Sequence, residues 1–238
     1  MEETLLVSQM PSGEPEIFKS IQGEGPSVGK ASTFVRLAMC NLRCHWCDTP
    51  YTWDWTRFDR EARTIAVSVD DIVATVSRNG LENLVVTGGE PLLQMAPLAS
   101  LARRLVAVGH TIEVETNGTV TPAVGLLESI SQWNVSPKLN NSGETVKRRE
   151  KPIALSAFVQ NPAAWFKFVV CGAADVEEVA AFIERHGIPR ERVLLMPEGV
   201  SGDVVIERMK TLWEEAIDHG YRLSPRLHII LWGDGPGR

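Results

Sequence analysis

The stretch Ser32-Thr33-Phe34-Val35-Arg36-Leu37-Ala38-Met39-Cys40-Asn41-Leu42-Arg43-Cys44-His45-Trp46-Cys47 decides how the rest of the chain is read. Ser32 to Leu37 is rich in apolar and β-branched side chains and reads as a strand. The cysteines follow directly, spaced Cys40-x-x-x-Cys44-x-x-Cys47. Thiolates are soft ligands that suit zinc or iron–sulfur clusters. A structural zinc site is normally closed by four ligands. Only three cysteines are local here, and Cys171 lies far along the chain in an apolar strand end. His45 stands between the ligands and is able to complete a zinc site, so zinc stays open at this point. Three thiolates on a four-iron cluster would instead leave one iron bare.

The strand-then-polar-turn pattern recurs downstream. Leu84–Thr87 stops at Gly88-Gly89, Thr111–Glu115 runs into Thr116-Asn117-Gly118, and Trp133-Asn134-Val135 leads to Ser136-Pro137-Lys138. Trp165–Val170 reads as a strand, Val193–Met196 as another closed by Pro197-Glu198-Gly199, and Arg226–Leu231 as the last. Helices are expected from Asp70 to about Arg78, ended by Asn79-Gly80, and from Pro91 to near Gly109. Others are expected over Val124–Ile130, Asp175–His186 and Asp203–Asp218. Residues 1–15 read as an irregular segment, and Thr56–Thr64 and the polar stretch beginning at Leu139 as loops. Strand–helix alternation argues for a parallel sheet with right-handed crossovers. About six units are too few for an eight-fold barrel. The expectation is an α/β fold, a partial, open (β/α)6 barrel forming a single domain over residues 1–238. Ligands of such folds bind at the carboxyl ends of the strands, where the polar turns gather.

The 238 residues are 44% hydrophobic and 23% charged, an ordinary soluble composition, with a formal net charge of −6. A general phosphate-backbone binder would be basic, so a small-molecule substrate is expected and nucleic acid is not. Met1-Glu2-Glu3 does not begin a signal peptide, and the apolar runs are strand-sized, so a cytoplasmic protein without membrane attachment is expected. Three of four cysteines within eight residues point to metal in a reducing compartment rather than to disulfides.

Further motifs carry a resemblance. They are Ile17-Phe18-Lys19-Ser20-Ile21-Gln22-Gly23-Glu24-Gly25, Phe34-Val35-Arg36-Leu37, the cysteine loop through Asp48-Thr49, Thr87-Gly88-Gly89-Glu90-Pro91, Ser136-Pro137-Lys138 and Ser224-Pro225-Arg226-Leu227-His228. From about Glu16 to Gly235 the chain resembles the 7-carboxy-7-deazaguanine synthases of the radical S-adenosylmethionine (SAM) superfamily. The segment ahead of the cysteines distinguishes these from generic radical SAM enzymes.

The resemblance implies a modified, truncated radical SAM barrel with a [4Fe–4S] cluster, SAM and Mg²⁺. It implies ring contraction of 6-carboxy-5,6,7,8-tetrahydropterin to 7-carboxy-7-deazaguanine with loss of ammonia, in queuosine and deazapurine biosynthesis. In it Cys40, Cys44 and Cys47 would hold three irons, and the fourth would bind SAM, whose cleavage yields a 5′-deoxyadenosyl radical. Trp46, Asp48, Gly89, Ser136, Pro137, Lys138, Met196, Pro197 and Glu198 would surround SAM. Ile21, Gln22, Gly23, Arg36 and Thr87 would contact the pterin, with Arg36 on its carboxylate. Thr49 would ligate Mg²⁺. The implied partners are a second copy in a homodimer and an external electron donor such as flavodoxin.

Duller readings stand beside these. Gln22 to Gly25 fits a turn, Arg36 a structural ion pair, Thr49 a turn cap. The rival functions are a related radical SAM enzyme with another substrate, a glycyl-radical-enzyme activator, and a non-catalytic iron–sulfur or zinc protein.

Overall fold

The computed structural model describes residues 3–237. The elements run β1 (Thr4–Ser8), β2 (Ile17–Ile21), β3 (Ala31–Leu37), α1 (Arg60–Arg63), β4 (Thr64–Ser68), α2 (Val69–Asn79), β5 (Asn83–Gly88), α3 (Met95–Ala107), β6 (Thr111–Thr116) and α4 (Val124–Ser129). They continue as β7 (Gln132–Val135), α5 (Val146–Arg149), α6 (Pro152–Gln160), β8 (Ala164–Val170), α7 (Ala173–His186), β9 (Val193–Pro197), α8 (Gly202–His219), β10 (Arg222–Leu223) and α9 (Leu227–Trp232). All ten strands join one sheet in the order β10-β9-β8-β7-β6-β5-β3-β1-β4, with β2 also on β3. From β3 to β10 every pairing is parallel. β1, β2 and β4 add an antiparallel corner. Among the described residues β10 and β4 do not pair, so the sheet is an open, partial barrel.

Side-chain alternation explains the layers. Val35 and Leu37 of β3, Ile112 and Val114 of β6, and Phe166, Phe168 and Val170 of β8 point to the helices and form the core. Their neighbours Arg36, Glu113, Glu115 and Lys167 take the opposite face, so the concave side of the sheet is polar. The helices cover the convex side with apolar stripes. In α2, Val69, Ile72 and Val76 are buried; Ser68 caps its start by accepting from Asp71 N (3.0 Å), and Gly80 ends it at φ 69°.

Four expectations are corrected. Residues 4–8 are not irregular: Leu5 and Val7 alternate into the core, and β1 pairs with β4. Met1 and Glu2 lie outside the described residues. Thr56–Thr64 holds the short helix α1, capped by Asp59, and feeds a strand the reading did not contain. The stretch after Leu139 contains α5 and α6; Pro152 opens α6, and Ala154, Leu155 and Phe158 bury its inner face. The segment expected as a strand over Arg226–Leu231 is helical from Leu227 on. A short apolar run lacks a decisive period, and Ile229 is buried while Leu231 is exposed. The seventh parallel strand is instead the two-residue β10.

Candidate active site

The carboxyl ends of the parallel strands open on one cavity of about 660 Å³. β2 brings Ile21, Gln22 and Gly23 to its wall, and β3 brings Arg36. The cysteine loop contributes Cys40, Trp46, Cys47, Asp48 and Thr49. The ends of β5, β7 and β9 add Thr87 and Gly89, Ser136 and Lys138, and Met196 and Glu198. Cys44, Pro137 and Pro197 do not line the cavity and are buried behind it.

The cysteine loop is braced from several sides. Arg43 N donates to Glu144 Oε1 at 2.5 Å and His45 N to the Ser142 carbonyl at 3.1 Å. Lys138 Nζ lies 5.4 Å from the Trp46 ring centroid and donates to Ser136 Oγ at 2.9 Å. Leu42 N donates to Cys40 Sγ at 3.4 Å, and Trp53 Nε1 to Cys47 Sγ at 3.3 Å. Burial pushes the Cys40 thiol up to about 12 and raises Cys44 as well. In the bare chain both therefore keep their protons at neutral pH, and a metal assembly would displace them. Among the described residues, no three His, Cys, Asp or Glu side chains gather closely enough to hold a single ion. Three cysteines on one braced loop beside the cavity supply the soft sulfur donors that an iron–sulfur cluster takes.

Two glycines are required by space. A Cβ on Gly89 would fall on the Met39 carbonyl, and one on Gly23 would fall on the His228 imidazole. Glu90, fully buried, ties the β5 and β6 ends together: it accepts from Leu92 N (3.0 Å), Thr116 Oγ1 (2.8 Å) and Asn117 N (2.7 Å).

Arg36 is half committed. Its Nε donates to the buried Glu16 at 2.8 Å, and Tyr51 Oη donates to the same carboxylate at 3.2 Å. Among the described residues the terminal nitrogens of its guanidinium make no hydrogen bond, and Arg36 lines the cavity. Burial would lower its pKa, but Glu16 more than reverses this, so the guanidinium stays charged. The ion-pair reading and the ligand reading of Arg36 are therefore compatible.

A charge network that the sequence reading did not assemble forms the floor. Glu24 is in contact with Lys167 Nζ, lies 3.1 Å from Arg226 Nε and 3.8 Å from His228 Nε2. Burial alone would raise Glu24, but Lys167, Arg226 and His228 hold it well below the usual carboxylate range. Arg226 also pairs with Asp48, and Lys167 reaches Glu115 at 3.6 Å. Glu115 accepts from Thr87 Oγ1 at 2.8 Å and Gln22 Nε2 at 3.5 Å. His228 is lowered mainly by burial, so it is neutral near pH 7. Glu198 pairs with Arg208, and Thr49 Oγ1 stands 3.7 Å from Cys47 Sγ. The signals for this network were present as charged residues at the inward-facing positions of β6 and β8.

The family model of the Radical SAM superfamily matches residues 35–137. A 7-carboxy-7-deazaguanine synthase of Pyrobaculum aerophilum is 43% identical over 225 residues, covering 94% of this chain and 96% of that relative. The enzyme of the same name from Hyperthermus butylicus is 37% identical, covering 91% of each. Among solved structures, QueE from Escherichia coli superposes with TM-score 0.68 at 25% identity, covering 93% of both chains. Streptococcus suis SuiB bound to precursor peptide SuiA gives TM-score 0.56 at 15% identity over 81% of this chain and 48% of that one, a likeness of fold alone.

Proposed function

Because the chain belongs to the 7-carboxy-7-deazaguanine synthase family of radical SAM enzymes, we propose that its cavity takes 6-carboxy-5,6,7,8-tetrahydropterin beside SAM and yields 7-carboxy-7-deazaguanine with loss of ammonia. The observation that carries this reading is the shared cavity. The cysteine loop and Arg36, whose terminal nitrogens have no hydrogen-bond partner among the described residues, line the same 660 Å³ space.

Cys40, Cys44 and Cys47 would hold three corners of a [4Fe–4S] cluster. When bound, such a cluster with SAM on its open iron supplies one-electron reductive cleavage of the sulfonium. The chain's own residues bind and orient. The two free nitrogens of Arg36 match a carboxylate fork. Glu115, steadied by Lys167 and Thr87, offers acceptor oxygens to ring N–H groups. The bare backbone at Gly89 lets an amino group approach its carbonyl, and Trp46 with Lys138 above it offers a ring face for the nucleoside. Asp48, Ser136, Met196 and Glu198 complete that side. Thr49 leaves its hydroxyl oxygen for Mg²⁺, with substrate and waters as further ligands. Glu16, Tyr51 and the buried Glu113 are supports rather than contacts.

No helix among the described residues is long and apolar enough to cross a membrane. A cytoplasmic homodimer fed by a flavodoxin-type donor is part of this proposal; exposed Trp213, Ile217 and Trp232 offer apolar surface for association. The test is anaerobic reconstitution with iron and sulfide, followed by SAM, reductant, Mg²⁺ and the carboxylated tetrahydropterin. The expected product is the deazaguanine acid by mass, together with ammonia. Protein that carries the cluster and cleaves SAM without making that product would overturn the substrate assignment.

A further inference from the structure

We propose that Trp53 tunes the cluster held by the cysteine loop, its indole N–H donating to the Cys47 sulfur and raising the reduction potential. This rests on the reading of Cys47 as a cluster ligand. Trp53 Nε1 lies 3.3 Å from Cys47 Sγ. The chain is folded back between them by the tight turn Pro50–Thr52, in which Thr52 N and Thr52 Oγ1 both donate to the Thr49 carbonyl (3.0 and 2.8 Å) and Trp53 N donates to the Pro50 carbonyl at 3.2 Å. Thr52 is fully buried, and its carbonyl accepts from Met39 N at 2.7 Å, which fastens the turn beside Cys40. The indole is thus held by the loop backbone rather than by a free surface rotamer. Trp46, the tryptophan just ahead of Cys47, turns its N–H to Asn141 Oδ1 at 3.3 Å. The Leu42 amide at Cys40 is a backbone donor available to any sequence. Trp53 is therefore a side-chain choice.

Reduction by one electron adds negative charge, shared by the thiolate sulfurs. A donor at sulfur stabilises the reduced state more than the oxidised one, and hydrogen bonds to sulfur are among the determinants of cluster potential. The partly enclosed cavity strengthens the contact. The ring also covers Cys47 from water. The two roles have opposite signatures: water reaching the sulfur moves the potential up, whereas loss of the N–H moves it down. Trp53→Phe keeps a ring and removes only the donor.

The experiment is an EPR-monitored redox titration of the anaerobically reconstituted full chain, with iron and sulfide quantified. Trp53→Phe should bind the cluster but show about a tenfold lower reduced-to-oxidised ratio at fixed poise, a midpoint about 59 mV more negative. Trp53→His, which retains an N–H, should fall between. A cluster-bearing Trp53→Phe with an unchanged or more positive midpoint overturns the proposal. Wild-type chain that takes up no iron and sulfide overturns the ligand reading beneath it instead. Pulsed EPR of the reduced wild type, labelled with indole-¹⁵N tryptophan, keeps the matter decidable if the variants do not load. A ¹⁵N coupling is expected, and its absence refutes the contact.

Discussion

Replacing Lys167 with Met leaves two carboxylates, Glu24 and Glu115, facing one another without the cation between them. Lys167 is buried, touches Glu24 and lies 3.6 Å from Glu115. Removing one partner of a buried pair costs about 3–5 kcal/mol, because the remaining charge is stranded. Arg226 still lies 3.1 Å from Glu24, so the lower end applies, about 3 kcal/mol. For a chain of this size that is a fall in Tm of about 6–12 °C. The pH dependence sharpens the test. In the wild type the Glu24 pKa is depressed, so its stabilisation is complete above the ordinary carboxylate range near 4 and is lost as pH falls below it. The Lys167 pKa is raised, so its contribution is complete below about 10 and fades only in strong alkali. Wild-type stability from this pair is therefore level across neutral pH. In the variant a stranded carboxylate titrates upward, and protonation relieves the repulsion. The gap between the proteins should thus be widest near pH 7 and shrink toward pH 5. Urea or thermal unfolding at both values measures it. A loss below about 1 kcal/mol at pH 7, or one that does not change with pH, would refute the reasoning.

Arg36→Lys should keep the contact to Glu16 and lose the two-pronged one, raising the pterin Kd roughly 10- to 100-fold, as expected for about 1.5–3 kcal/mol of charged hydrogen bonding; unchanged affinity by calorimetry removes Arg36 from the site. Cys44→Ala should purify without the cluster, read as loss of iron, sulfide and visible absorbance; a full complement of iron contradicts its role as a ligand. Gly89→Ala must push the Met39 carbonyl aside, so SAM affinity should fall at least tenfold; wild-type binding by equilibrium dialysis would show that the loop yields freely.

Much of this was legible in the sequence because periodicity and punctuation agreed. The parallel strands from Ala31 to Pro197 alternate cleanly or run apolar, and those after β3 each end near a glycine, proline or asparagine. Three of the failures share one cause. The segments at 4–8, 64–68 and 227–232 are short, and their state is decided by partners remote in sequence: β1 exists because β4 lies beside it. The site was legible where a motif is local, as in the cysteine loop. It was not where residues meet only after folding. Glu24 and Lys167 are 143 positions apart and Arg226 and Asp48 are 178 apart, and no spacing rule joins them. Trp53 was likewise hidden among seven tryptophans, because a sulfur contact depends on how a turn folds back.

The joining of residues 224–227 to the β2 loop has a consequence for biosynthesis. Gly25 N donates to Ser224 Oγ at 2.8 Å, Leu227 N donates to the Gly23 carbonyl at 2.9 Å, and Arg226 neutralises both Glu24 and Asp48. A nascent chain still tethered to the ribosome short of residue 227 has every cysteine of the loop but lacks the clasp that closes its pocket. Cofactor loading during translation would thus meet an open cradle in which Asp48 lacks its Arg226 partner, while Lys167 still holds Glu24. The finished enclosure arrives only when that later segment emerges, so the pocket closes well after its cysteines have been made.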